Sequence, residues 1–356
     1  MYGFAGFRVN WRRGALRAAI WAALLPCAAM TATAAAEQGQ KVNVGTSSVL
    51  TDGVLYIARQ KGFFSEQHLD VEIIAFNSSP MLIPPLGIGQ IDVAAGAATA
   101  SLYNAVARGI NLRIVADKGS TPPHYDYVPL VVRKSLLDSG RVKGYGDLAG
   151  LMVAEAGAGS SSGSTLNEAL KKGGLAYNDV RHTYIPYTSQ FAAFTNGAID
   201  AAISSEPTVT QIIESGMGVR MPREEFYPDQ QIAVLLYSEA FVAKRLDAAR
   251  GFMVAYVKAA RVYNDALKDG RFAGPAADEV IDILAANTVV RDRSLYPKMV
   301  PAGIDPDGRV NQASLRKDYD FFKSQRLIPQ DVDLRQMVDN QFVDFAVKTL
   351  GPYRRN

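Results

Sequence analysis

The chain is nearly without cysteine: its 356 residues hold one, Cys27, together with 3 histidines. Cys27 lies in a stretch that reads as a removable leader, so the mature chain is expected to hold no disulfide and no thiolate site. No Gly-Lys dipeptide occurs anywhere, which excludes a P-loop. A surplus of one charge is also missing. The 38 basic residues fall to 34 once four leader arginines are set aside, against 35 acidic residues. Nothing in that balance suggests a nucleic-acid partner. Low-complexity tracts are absent as well.

The leader is legible in Arg8, Arg12, Arg13 and Arg17, an apolar run from Ala18 to Met30, and TATAAA before Glu37. A basic region, a short apolar core and an Ala-x-Ala end make a secretory signal peptide over residues 1–36, cleaved after Ala36. The apolar run is shorter than the roughly 20 residues that a membrane-spanning helix needs. Pro26 before Cys27 argues against a lipid-anchored cysteine. The expected location is the periplasm. Removal of 36 residues from 356 leaves more chain than one compact core usually holds, so two lobes are expected.

What the chain does contain is a repeat. Residues 89–101 read GQIDVAAGAATAS and residues 197–209 read GAIDAAISSEPTV, with the same Gly, Ile and Asp in the same places. Each copy follows a helix-like stretch, opens a short apolar run and gives way to small or hydroxyl residues. The order is helix, Gly stop, strand, loop, next helix. Around the copies, apolar runs at 41–47, 69–76, 111–117 and 127–134 alternate with helical stretches. A second series follows at 151–156, 162–172 and 180–187, and QIAVLLYS (231–238) precedes a third of the chain with helical signals almost to the end. Nearly continuous apolar strands alternating with helices predict mostly parallel sheets covered on both faces, hence an α/β fold. The repeats then sit at equivalent points of two lobes, with their loops at the carboxyl ends of strands, where ligands collect in open α/β sheets. A purely structural use of the Gly stop and the Asp is the alternative.

The stretches LYIARQKGFFSEQHLDVEII, IGQIDVAAGAATASLYNAVARGINLRIVAD, DLAGLMVAEAGAGSSSGSTLNEALKKGGLAYNDV and GAIDAAISSEP resemble the periplasmic solute-binding proteins of nitrate, sulfonate and taurine ABC importers. That family includes relatives binding the pyrimidine precursor of thiamine. The similarity runs from about Lys41 through the C-terminal helices. It implies a two-lobe periplasmic binding protein of type II, with a cleft between lobes and a helical C-terminal third. Two crossings near Val132 and Ile232 would join lobe I (41–132 plus 236–356) to lobe II (133–235) and allow hinge closure on one small solute. It also implies a monomer that uses no cofactor or metal and delivers to a membrane permease whose ATPase is a separate chain. Pyrimidine-synthesising relatives depend on cysteine and histidine clusters, which a mature chain without cysteine lacks.

Five strand-to-helix turns end in small or polar residues: 46–48, 77–79, 96–101, 159–164 and 204–206. Unpaired N–H groups and a partial positive charge at helix starts suit an anion. The candidate ligand residues are Ser47, Ser48, Ser78, Ala98, Thr99, Ser160, Ser161, Ser162 and Ser205, although each hydroxyl also fits a plain N-cap. Lys118 is a candidate partner for an anion. Glu206 is a candidate acceptor for an amine, or else a brace for its own loop. Tyr103, Tyr125, Tyr127, Tyr187, Phe191 and Tyr237 fit either stacking on an aromatic solute or the core. His124, in an expected crossing loop, reads as structural.

Gly159-Ser160-Ser161-Ser162-Gly163 matches a G-x-S-x-G nucleophile elbow between a strand and a helix. Its triad fails, because the only later histidine is His182, one strand onward. The same glycines are spaced GxGxxxG, which departs from the dinucleotide fingerprint. The expected function is capture of a small organic or inorganic anion for an importer, with no catalysis. The alternatives are a neutral or cationic heterocycle held by Glu206 and aromatics, and a serine hydrolase using Ser161.

Overall fold

The structure, a computed structural model, describes residues 39–47 and 49–355. The leader and Ser48 lie outside the described residues. Ten strands build two five-stranded sheets. The first uses β1 (Gln40–Thr46), β2 (Leu69–Ala75), β3 (Val93–Gly96), β4 (Leu112–Thr121) and, from far later in the chain, β10 (Gln230–Ser238). The second uses β5 (Leu130–Arg133), β6 (Met152–Glu155), β7 (Arg181–Tyr184), β8 (Ala201–Ile203) and β9 (Gly218–Met221). Their orders are β2-β1-β3-β10-β4 and β7-β6-β8-β5-β9. In each sheet the fourth strand runs antiparallel to both neighbours and the first three are parallel. The two sheets therefore share one topology.

The repeated motif explains that identity. Asp92 donates its amide to the Asn43 carbonyl of β1 at 2.8 Å, and its Oδ2 accepts the Asn43 amide at 2.9 Å. Asp200 does the same with Met152 of β6, at 2.8 and 2.9 Å. The Asp92 carbonyl takes the amide of Ser238 at the end of β10, and the Asp200 carbonyl takes that of Arg133 at the end of β5. Each aspartate thus pins two parallel strands and the antiparallel one, and the carboxylate makes one of those bonds charge-assisted. Gly89 and Gly197, which end the preceding helical turns, have φ of 73° and 79°, a region a side chain rarely adopts. The repeated residues belong to the framework.

β10 is buried at all nine positions, as a central strand covered on both faces must be. The long helix Leu246–Asp265 lies on this first sheet, with Phe252 stacked on Phe64 at 5.0 Å and Tyr256 donating to the Asp117 carbonyl at 2.8 Å. The C-terminal helix Gln341–Leu350 adds Phe342 against Tyr237, 4.9 Å between ring centres. These two helices cover the first sheet.

The chain passes between sheets over 122–129 and 222–229. The crossings expected near Val132 and Ile232 fall earlier, because Val132 pairs with Ala201 and Val219 inside the second sheet and Ile232 lies inside β10. Both strands are continuous apolar runs, so nothing in the pattern marks where crossing ends and strand begins. Between β2 and β3 the chain makes two short turns, Ser79–Leu82 and Ile83–Gly87, with Pro80, Pro84 and Pro85 at their starts.

Candidate ligand site between the lobes

The carboxyl ends of the two sheets meet. The Ala100 amide, opening the helix Ala100–Ala107 after β3, donates to the Gly159 carbonyl in the turn after β6 at 3.0 Å. Gly159 has a φ of 70°, and a Cβ there would come within 3.0 Å of Ala100 Cβ, so the approach requires glycine.

On the second lobe the turn leads into the helix Ser161–Lys172. Ser160 occupies the N-cap with extended backbone, but its hydroxyl donates to the Gly157 carbonyl at 2.7 Å and lies 2.6 Å from the Ser162 hydroxyl. Ser162, fully buried, accepts the Ala156 amide at 3.1 Å and bonds the Tyr187 hydroxyl. Both hydroxyls help close their own turn. The half-buried Ser161 side chain has no hydrogen-bond partner among the described residues. Ser205 is buried without a side-chain partner, and the neighbouring Ser204 Oγ is a buried orphan.

Glu206 is saturated. Its Oε2 accepts the Thr210 amide at 3.0 Å and hydroxyl at 2.7 Å, and its Oε1 accepts Arg220 Nη2 at 2.7 Å and the Val300 amide at 3.2 Å. It ties the loop after β8 to β9 and to the chain around Val300. That geometry is a brace.

On the first lobe Lys118 is buried in β4, with its ammonium 2.8 Å from Asp52 Oδ1 and 2.8 Å from Thr51 Oγ1. Asp52 also accepts the Val49 amide at 2.9 Å, so this pair fixes the loop that carries Ser47. The charge of Lys118 is already neutralised. Ser78 precedes its turn in extended backbone without a side-chain cap. Ser79, not singled out from the sequence, accepts the Ala97 amide at 3.1 Å. Thr99 Oγ1 lies 2.7 Å from Ser101 Oγ, and Ala98 is buried beside it. Among the aromatics, Tyr103 and Tyr237 are fully buried core residues. Tyr127 reaches the Leu50 backbone and Tyr187 reaches Ser162, which brings both to the seam.

Sequence reasoning missed the polar group beneath the seam. Asp318, in the helix Gln312–Ser324 of the first lobe, accepts the Ser164 hydroxyl at 2.6 Å, the Tyr227 hydroxyl at 2.5 Å and the Gln230 amide at 3.2 Å. Burial pushes its carboxyl up to about 6. Thr165 donates to Gln230 Oε1 at 2.8 Å, and the buried Arg223 donates to Gln230 Oε1 and to the Val128 carbonyl. Ser164 and Thr165 thereby tie the second-lobe helix to the first lobe. No local pattern marks Asp318, whose partners are far away in sequence, or Arg223, whose bond to Val128 spans 95 residues.

His182 is equally committed. Its Nδ1 lies 2.7 Å from Glu155 Oε1 and its Nε2 lies 2.9 Å from the Tyr177 carbonyl, so neither nitrogen is left for Ser161. Among the described residues no group of three His, Cys, Asp or Glu side chains could hold a metal ion.

Two lobes of one sheet topology, joined by two crossings and meeting at the carboxyl ends of their strands, define a type II periplasmic-binding-protein fold. The chain belongs to the NMT1/THI5 like family, whose model matches residues 53–268. It is 26% identical over 268 residues to a putative aliphatic sulfonates-binding protein of Escherichia coli (strain K12), covering 74% of this chain and 78% of that one. Among solved structures it superposes on the alkanesulfonate-binding protein SsuA of Xanthomonas axonopodis pv. citri bound to MOPS. The TM-score there is 0.64 at 19% identity, over 85% of this chain and 99% of that one. The periplasmic nitrate-binding protein NrtA of Synechocystis PCC 6803 gives 0.67 at 15% identity, over 88% and 90%. The desulfurization enzyme DSZB shares the fold too, at 0.58 and 16% identity over 87% and 99%.

Proposed function

We propose that this chain is the extracytoplasmic solute-binding component of an ABC importer, capturing a small anion of the sulfonate, nitrate or aromatic carboxylate class between its lobes. The observation that carries the reading is the seam itself: the carboxyl ends of both sheets face each other across Ala100 and Gly159, with the start of the 161–172 helix and a set of hydroxyls at the junction. A helix start offers free amides and a partial positive charge to an anion. The sulfonate- and nitrate-binding relatives support the sulfonate and nitrate classes. The protein works in the periplasm as a monomer after cleavage near Ala36. It hands its solute to permease subunits served by a separate ATPase chain, and it has no nucleic-acid partner. The enzyme neighbour does not alter this reading, because Ser161 lacks a base and His182 is fully engaged. The saturation of Glu206 weighs against an amine-bearing heterocycle.

The test is a thermal-shift screen of the mature protein against ethanesulfonate, taurine, nitrate, benzoate and a hydroxymethylpyrimidine. A solute at about 100 times its dissociation constant adds roughly 2.7 kcal/mol of stability, a shift of a few degrees. Small-angle scattering should show a smaller radius of gyration with the binding anion than without it. A shift with the pyrimidine alone, or no shift with any anion, overturns the reading.

A further inference from the structure

Among the described residues, the cations beside the seam are matched with acids, with one exception. Lys118 has Asp52 at 2.8 Å and Arg220 has Glu206 at 2.7 Å. Arg223, 2% exposed, has no carboxylate within ion-pair distance among the described residues. Its guanidinium donates to the Val128 carbonyl, to Gln230 Oε1 and, at 3.4 Å, to Thr165 Oγ1, all neutral, and its Nε has no partner. Asp126 and Asp318 act on it only through space, and burial is the largest influence, working against its charge. A charge held in a dry interior without a counter-ion is strongly unfavourable, and a bound anion offsets that cost.

Arg223 also lies beside the start of the 161–172 helix, through its contact with Thr165. Thr165 belongs to the early turns of the 161–172 helix, its hydroxyl 2.9 Å from the Ser161 carbonyl. Tyr187, bonded to Ser162, feels the same guanidinium. Resting on the anion reading above, we infer that Arg223 is the counter-charge of the solute, acting with the hydroxyls of Ser161 and Tyr187 on a monoanionic oxyanion group such as a sulfonate. The planar fork presents parallel donors that match two oxygens of one group, and an oxyanion replaces the neutral Gln230 oxygen with a charged acceptor. Asp126 and Asp318 already act on the same guanidinium and repel added negative charge, which sets a monoanion above a dianion.

Calorimetric titration of the mature protein with ethanesulfonate, nitrate and benzoate as monoanions and sulfate as dianion tests this, at constant ionic strength. Wild type should bind at least one monoanion more tightly than sulfate. R223Q should keep its circular dichroism but weaken that monoanion on the order of 100-fold. R223K keeps the charge without the fork and should lose about tenfold. An R223Q affinity within threefold of wild type, or sulfate as the tightest ligand, overturns the assignment while leaving anion capture intact. If R223Q does not fold, R223K decides, and unchanged affinity in it overturns the assignment. A wild type that binds none of the four probes overturns anion capture itself, and Arg223's role with it.

Discussion

Asp92 and Asp200 hold the same position in two sheets of one topology, each taking the amide of a parallel neighbour at 2.9 Å. Six residues beyond them the lobes diverge. The first lobe has Ala98, small and buried. The second has Glu206, a buried carboxylate with four donors around it. The paired registers show the same divergence elsewhere: Thr46 and Ile73 of the first sheet occupy the places of Glu155 and His182 in the second. Residues that pin three strands recur because each sheet meets the same mechanical demand. Residues beyond the strand ends differ because each lobe gives the common seam a different surface. The first lobe brings small side chains and a self-neutralised Lys118–Asp52 pair, and the second brings hydroxyls and charge.

The largest effect should come from breaking that divergence at Glu206. Glu206→Ala leaves the mostly buried Arg220 and the Thr210 and Val300 amides without their acceptor, and losing one member of a buried pair costs about 3–5 kcal/mol. Urea denaturation at an unchanged m-value is the measurement. A loss below about 1 kcal/mol would mean that the brace is redundant. Ala98→Glu is the reciprocal change. It buries a carboxylate with no donors set for it and should destabilise by several kcal/mol as well.

A smaller effect should separate the two clamps. Asp200→Ala removes one charge-assisted bond to the Met152 amide, worth about 1.5–3 kcal/mol. Asp92→Ala removes the equivalent bond to Asn43 and also frees Arg245, which pairs with the other carboxylate oxygen. Arg245 is partly exposed, so the added cost is at most about 1 kcal/mol. The first-lobe variant should therefore be the less stable of the two. The reverse order would show that Arg245 contributes nothing and that the second sheet depends more on its clamp.

The comparison also shows what a sequence displays. Strands such as 231–238 and the helix 162–172 were legible to within a residue, because apolar continuity and period are local properties. The repeat was legible too, and so was its place before a loop. Its role was not, since the bond from Asp92 to Asn43 spans 49 residues and leaves no mark beside either. The hydroxyls of 160–162 were visible as a group, but only coordinates separate Ser160 and Ser162, engaged in their own turn, from Ser161. Lys118 was visible as a charge, but its pairing with Asp52 within the first lobe was not. Arg223 sits in an unremarkable MPREEFYPDQ stretch, and it stands out only by burial and by the missing acid beside it.

The smallest effect lies in pH, at the place where His182 replaces the Ile73 of the first lobe. The bond to Glu155 is the main influence holding the imidazole above its usual 6.5, with burial opposing it. A folded pKa above the unfolded one means that the native state binds the proton more tightly. The resulting stability is present in full below about 6.5 and is lost as pH rises through the raised folded value. Asp117 and Asp318, pushed up to about 6 by burial, titrate mainly below that window. The imidazole is partly exposed, so the contribution should stay near or below 1 kcal/mol. Unfolding midpoints measured from pH 6 to 9 should fall for wild type and lie flatter for His182→Gln, whose amide can still donate to Glu155. His182→Ile, which copies the first lobe, should also be flatter but less stable throughout, because Glu155 then keeps only the Tyr177 hydroxyl at 2.8 Å. Equal slopes in wild type and His182→Gln would show that the proton is not held at this pair, and would leave Glu155 and His182 as a neutral hydrogen bond in the second lobe.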